Sequence, residues 1–138
     1  MINIVVVSHG SLAQALIEAA EMIAGPQEGL FAVEIGPGDS TEAFSANLTR
    51  LLCSVEPEPV LVLVDLLGGT PYNVAAQHVI GERLECVTGA NLPMLLELLM
   101  TRDEVPLTDL AASIERAGHE SIKNLGPLLG RDRARAAG

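Results

Sequence analysis

Short runs of β-branched and aliphatic residues recur along this chain. Each is followed by a stretch whose apolar residues return every three or four positions. The first run, Ile2 to Val7, is apolar almost throughout, the pattern of a strand covered on both faces. Ser11 can cap a helix from Leu12 to about Ala24 whose stripe is Leu12, Leu16, Ala19, Ala20 and Ile23, and Gly25-Pro26 ends it. Leu30 to Ile35 reads as the second strand, closed by Gly36-Pro37-Gly38. Asp39 or Ser40 caps the next helix, with Phe44, Leu48, Leu51, Leu52 and Val55 inward, and Pro57 and Pro59 break it. Val60 to Val64 is the clearest buried strand. It stops at Asp65, and after the loop Leu66 to Gly69, Thr70-Pro71 reads as an N-cap followed by proline at the first helical position of a helix to about Val79. Leu84 to Thr88 is a fourth strand. A helix follows Leu92-Pro93 with Leu92, Leu95, Leu96 and Leu99 inward. A fifth helix after Pro106 carries Leu107, Leu110, Ala111 and Ile114 and stops at Gly118.

Strands and helices in alternation predict an α/β fold, a parallel sheet with helices on both faces. Ser121 to Leu125 reads either as a short strand or as a last helical turn. Gly126 to Gly138 has little apolar content after Leu129 and is expected to be a flexible tail.

Composition narrows the class. A length of 138 residues suits one domain, and 49% apolar residues suit a real core, which with only two Phe and one Tyr must be aliphatic. A net charge of −10 makes nucleic acid and anionic membranes poor partners and favours a partner with a basic face. Cys53 and Cys86 lack CxxC spacing and read as free thiols in a reducing compartment. No start resembles a signal peptide and no apolar run reaches membrane-spanning length, so the cytoplasm is expected.

Candidate chemistry lies at three strand ends: Ser8-His9-Gly10-Ser11, Asp65 to Asn73, and Gly89-Ala90-Asn91-Leu92-Pro93. In parallel sheets the carboxyl ends of strands carry ligands, above all where the strand order reverses. With the first and third strands adjacent, that crevice holds both His9 and Asp65. A carboxylate beside an imidazole fixes its tautomer, frees the other ring nitrogen as a nucleophile, and stabilises the cation formed once it has reacted. Gly68 and Gly69 before a helix start can present N–H groups to an anion, with Thr70 adding a hydroxyl. Together these groups describe phosphoryl transfer through phosphohistidine. Each also has a structural reading: a packing histidine, a capping aspartate, a tight Gly-Gly turn, a helix-capping threonine.

From Met1 to about Leu125 the chain resembles the mannose-type IIA component of the phosphoenolpyruvate-dependent sugar phosphotransferase system. The specific parts are Ser8-His9-Gly10, Val64-Asp65-Leu66-Leu67-Gly68-Gly69-Thr70-Pro71-Tyr72-Asn73 and Gly89 to Glu97. The resemblance implies that His9 is the phosphorylated residue and Asp65 its orienting carboxylate. Thr70 and Tyr72 stand where the family often has Ser and Phe, hydroxyl for hydroxyl and ring for ring. It implies a flavodoxin-like three-layer fold of four parallel strands, with a C-terminal antiparallel strand, Ile122 to Leu125, exchanged in a homodimer. It implies phosphate received from the phosphocarrier HPr and passed to a IIB component, with no metal or organic cofactor. Some relatives continue into a fused IIB domain. This chain ends in a short Arg/Ala stretch, as expected of a free-standing IIA protein or of one cut at the linker.

Three rival readings rank lower. The sister family serving dihydroxyacetone kinase shares the early histidine but lacks Gly-Gly-Thr-Pro. A histidine-nucleophile phosphate hydrolase or mutase would want arginines near His9, and a flavin or nucleotide module would want more aromatics. His78 reads as a packing or helix-end residue and His119 as solvated, too scattered for zinc. Arg102 and Asp103 read as a surface ion pair or part of a docking rim.

Overall fold

A computed structural model describes residues 1–79 and 81–130. Four strands, β1 (Asn3–His9), β2 (Leu30–Ile35), β3 (Val60–Val64) and β4 (Leu84–Thr88), form one parallel sheet in the order β2-β1-β3-β4. The order reverses between β1 and β3, which pair from Asn3 opposite Val60 to Val7 opposite Val64. The crevice expected of a doubly wound sheet therefore opens above the ends of these two strands.

Side-chain alternation sorts the strands into two cores. Ile4, Val6, Leu61 and Leu63 face α1 (Leu12–Ala24), α4 (Leu92–Thr101) and α5 (Leu107–Glu120). Val5, Val7, Val60, Val62 and Val64 face α2 (Thr41–Ser54) and α3 (Gly69–Ala76). Fully burying each such side chain contributes about 1.5–3 kcal/mol, so the two strand ends that carry His9 and Asp65 stand on the most firmly held part of the molecule. The same alternation puts Ser8 in the row of Ile4 and Val6, toward α1, and His9 in the row of Val5 and Val7, toward α3.

Several boundaries differ from the sequence reading. β1 runs on to His9 because Ser8 and His9 still pair with Glu34 and Ile35 of β2. α3 opens at Gly69, one residue before the expected cap, since Gly68 and Gly69 at φ +97° and +84° make the turn themselves; it ends at Ala76. Gly118 does not stop α5, which continues to Glu120. It is buried where α5 meets α4, and a Cβ there would lie 2.8 Å from Met94 Sδ. α4 carries apolar residues on most of its sides: Met94, Leu95 and Leu98 are buried in its own chain's core, Leu92, Leu96 and Leu99 pack against that core, and Met100 is exposed.

The expected fifth strand is absent from the sheet among the described residues. Ser121–Asn124 form neither helix nor strand, and Leu125 opens a short helical turn, α6 (Leu125–Leu128). The start of the expected tail is thus helical. Its greater part, 131–138, lies outside the described residues.

Arg102 is no surface residue. It is 6% exposed and donates to the carbonyls of Glu28 at 2.7 Å, Gly29 at 3.2 Å and Ile2 at 3.5 Å. It closes α4 by tying its end to the loop before β2 and to the start of β1, far from the strand ends that carry His9 and Asp65.

Candidate active site

His9 ends β1 and Asp65 follows β3 directly, so adjacent strands deliver the two side chains to one point. His9 Nδ1 lies 2.9 Å from Asp65 Oδ2. The same oxygen accepts the backbone N–H of His9 at 2.9 Å, and the N–H of Asp65 donates to the carbonyl of Val7 at 3.1 Å. One carboxylate atom thus holds both the backbone and the ring of His9. A carboxylate only accepts, so Nδ1 carries the proton and Nε2 keeps a free lone pair. Asp65 Oδ1 is buried and accepts no hydrogen bond among the described residues.

The Asp65 side chain is 10% exposed and that of His9 50%, so the carboxylate is shielded and the imidazole is open to solvent. The free nitrogen faces the start of α3. A Cβ built on Gly69 would lie 3.4 Å from His9 Nε2, so glycine leaves that approach clear. Gly68 occupies the cap position and no side chain caps the helix, which leaves the N–H groups of Gly69 and Thr70 for an anion. Pro71 has no N–H to add. A pocket of about 340 Å³ beside the imidazole is lined by His9, Gly10, Ile35, Gly36, Pro37 and Thr70, with no lysine or arginine. Large apolar side chains next to the site in sequence are open to solvent: Leu12, three residues after His9, and Leu66 and Leu67, which follow Asp65, are all exposed.

His9, Asp65, Gly69 and Thr70 therefore come together as the sequence suggested, and Gly68 makes the turn that presents them. At the third strand end the side chain of Asn91 is engaged in capping. Asn91 caps α4, its side-chain oxygen accepting the Met94 N–H at 3.0 Å. Two features escaped the sequence. The β2–α2 turn, Gly36-Pro37, walls the pocket and is held by Asp39 Oδ2, which accepts the Gly36 N–H at 2.7 Å. Ser8, not Ser11, caps α1: its Oγ accepts the Ala13 N–H at 2.8 Å, while Ser11 makes no side-chain cap bond. The alternation that places Ser8 toward α1 was the signal that could have found it.

The remaining reactive residues lie elsewhere. His78 follows α3, with Nε2 3.4 Å from Thr49 Oγ1, and His119 is exposed in the last turn of α5. Burial, helped by the charge of Glu85, pushes the Cys86 thiol up from 9.0 to about 11, which keeps it protonated and unreactive near neutrality.

Comparison with known proteins shows the family. The model of the EIIA-man family, described as the phosphotransferase system (PTS) fructose IIA component, matches residues 3–115. The chain is 38% identical over 127 residues to the PTS system mannose-specific EIIAB component of Escherichia coli (strain K12), covering 90% of this chain and 39% of that protein. It thus spans about two fifths of the length of that relative. It is 34% identical to the PTS system fructose-specific EIIA component of Bacillus subtilis (strain 168), covering 89% of this chain and 86% of that one. The crystal structure of the phosphotransferase system component EIIA from Streptococcus agalactiae superposes with a TM-score of 0.85 at 30% identity, covering 92% of this chain and 99% of that one. The chain, with its histidine and aspartate joined across β1 and β3, belongs to the EIIA-man family of sugar phosphotransferase system IIA components.

Proposed function

We propose that the protein carries a phosphoryl group on His9 Nε2, taking it from HPr and passing it to a IIB component in the cytoplasm as a homodimer. The observation that carries this reading is the 2.9 Å contact between His9 Nδ1 and Asp65 Oδ2, with Nε2 open and facing the uncapped start of α3. Nε2 attacks phosphorus in line as the donor's phosphorus–nitrogen bond breaks, and the donor nitrogen leaves with that electron pair. The ring keeps its Nδ1 proton and gains positive charge, which the Asp65 carboxylate stabilises. The N–H groups of Gly69 and Thr70, with the Thr70 hydroxyl, take the phosphoryl oxygens.

The pocket favours carriage over hydrolysis. With no lysine or arginine in its lining, the phosphoryl group is held lightly enough to leave again. The exposed Leu12, Leu66 and Leu67 suit a protein surface rather than a small phosphate ester. A chain of net charge −10 suits a donor with a basic face. The names of the relatives carry mannose and fructose, which leaves the sugar open for this chain.

Incubation with phosphoenolpyruvate, enzyme I and HPr tests the reading. One acid-labile, base-stable phosphate per chain is expected, lost in His9→Ala and retained in His78→Ala and His119→Ala. Labelling that survives in His9→Ala overturns it.

A further inference from the structure

We propose that Ser8 is a positioning residue for His9, tying the turn that carries the imidazole to the first turn of α1. The proposal rests on the phosphohistidine reading above. Ser8 has no exposed surface, although it ends a row of aliphatic side chains on β1. Its Oγ accepts the Ala13 N–H at 2.8 Å, and its O–H donates to the carbonyl of Gly10 at 3.4 Å. One hydroxyl therefore bridges the residue after His9 and the start of the helix beyond it.

The other ties on this turn run elsewhere. The His9 N–H goes to Asp65, on the β3 side, and the Gly10 N–H goes to the carbonyl of Ile35 on β2 at 2.8 Å. Ser11 makes no side-chain cap bond. Glu34, opposite Ser8 in the sheet, accepts the Gln14 N–H at 3.2 Å, so α1 is held from the strand ends and not by its own cap residue. Of these contacts Ser8 alone links the histidine turn to α1.

The turn needs that link because Gly10, at φ +56°, is the joint between them and a glycine resists little by itself. Loss of the hydroxyl leaves a buried N–H at Ala13 without a partner and frees the Gly10 carbonyl. The joint then relaxes and His9 moves with it. In-line transfer tolerates little displacement, since about 1 Å can cost about 10²-fold in rate.

Ser8→Ala tests this, measured beside wild type, Ser8→Thr and Arg102→Leu. The last loosens the far end of the sheet and serves as a remote destabilising control. One readout is the rate of phosphate uptake from phosphorylated HPr at 20 °C. The other is the ¹⁵N and ¹H resonance of the His9 Nδ1–H, which reports the bond to Asp65. Ser8→Ala is expected to slow uptake by about 10- to 100-fold and to speed exchange of the Nδ1 proton. Ser8→Thr, which keeps the hydroxyl, should restore both, and Arg102→Leu should change neither. If Ser8→Ala does not fold, Ser8→Cys, which has only a weak acceptor, is expected to show the same loss. Uptake within twofold of wild type, or an unchanged Nδ1–H signal, in Ser8→Ala (in Ser8→Cys if Ser8→Ala does not fold) overturns the proposal. The resonance needs no donor. A wild-type chain that took no phosphate would therefore refute the proposed function, while the resonance would still decide the role of Ser8.

Discussion

At the scale of single residues, the site depends on one acceptor and one missing side chain. Asp65→Asn preserves shape and can still accept the His9 backbone N–H, but it offers an amide N–H to the ring and removes the charge. The imidazole then no longer has its proton fixed on Nδ1. Phosphate uptake is expected to fall about 10²-fold or more in a protein that stays folded by circular dichroism. Transfer at wild-type rates in both directions would reduce Asp65 to a structural cap. Gly69→Ala places a methyl about 3.4 Å from Nε2 and forces an L-residue into φ +84°. The backbone strain costs about 1–2 kcal/mol, readable as a lower denaturation midpoint. Uptake is expected to drop at least tenfold while the Nδ1 contact to Asp65 persists, and normal uptake would mean the phosphoryl group approaches from another side. His9 and Asp65 were legible because each follows a run of buried apolar residues at which a strand must stop. Ser8 was not, because Ser11 stands where a cap belongs in the sequence, and only the facing of alternate residues on β1 reveals which serine reaches the helix.

At the scale of elements, periodicity located every strand of the sheet, while ends and interfaces were harder. Thr70-Pro71 carries a cap signature, yet two glycines at positive φ complete the turn first and draw the helix start back to Gly69. Gly118 carries a stop signature, yet the close approach of Met94 requires a residue without a side chain there, and the helix goes on. Arg102 could not be read at all, because its acceptors are backbone carbonyls distant in the chain. A buried guanidinium held by carbonyls rather than by a carboxylate is a strong structural tie. Arg102→Leu removes these donors and leaves the Glu28 and Gly29 carbonyls without this partner. A stability loss of about 2–4 kcal/mol is expected by urea denaturation, with phosphate uptake at 20 °C unchanged because Arg102 lies at the amino ends of the strands and His9 at the carboxyl end of β1. A loss under 0.5 kcal/mol would show that water replaces the side chain at no cost.

At the scale of the whole molecule, the single chain leaves the β4 edge of the sheet open beside an apolar segment. β4 pairs with β3 on one side only and closes the sheet as an edge strand. Such an edge exposes unpaired backbone groups and invites another strand. Beside it lies a groove of about 560 Å³, lined among others by Cys86, Thr88, Ala112, His119 and Ile122. Beyond it, Ile122, Leu125, Leu128 and Leu129 are 59–77% exposed, an apolar segment without cover. The leucines round α4 make no case for a second subunit, since α1 and α5 cover that helix, so the case for a partner rests on the β4 edge and the C-terminal segment. An exchanged strand is not legible in one chain, since its backbone partners belong to the other copy. If each segment lies along the partner's β4, both edges close and both apolar segments are buried by one two-fold operation. Sedimentation equilibrium is expected to give twice the 14.5 kDa of the chain. Truncation before Ser121 should yield a monomer with a lower denaturation midpoint, since Ile122 and the leucines after it would no longer be there to bury. His9 and Asp65 belong to β1 and β3 of the same chain, so the truncated protein should still accept phosphate. A full-length chain that sediments as a monomer at micromolar concentration would show that the β4 edge stays open and that strand exchange does not occur in this protein.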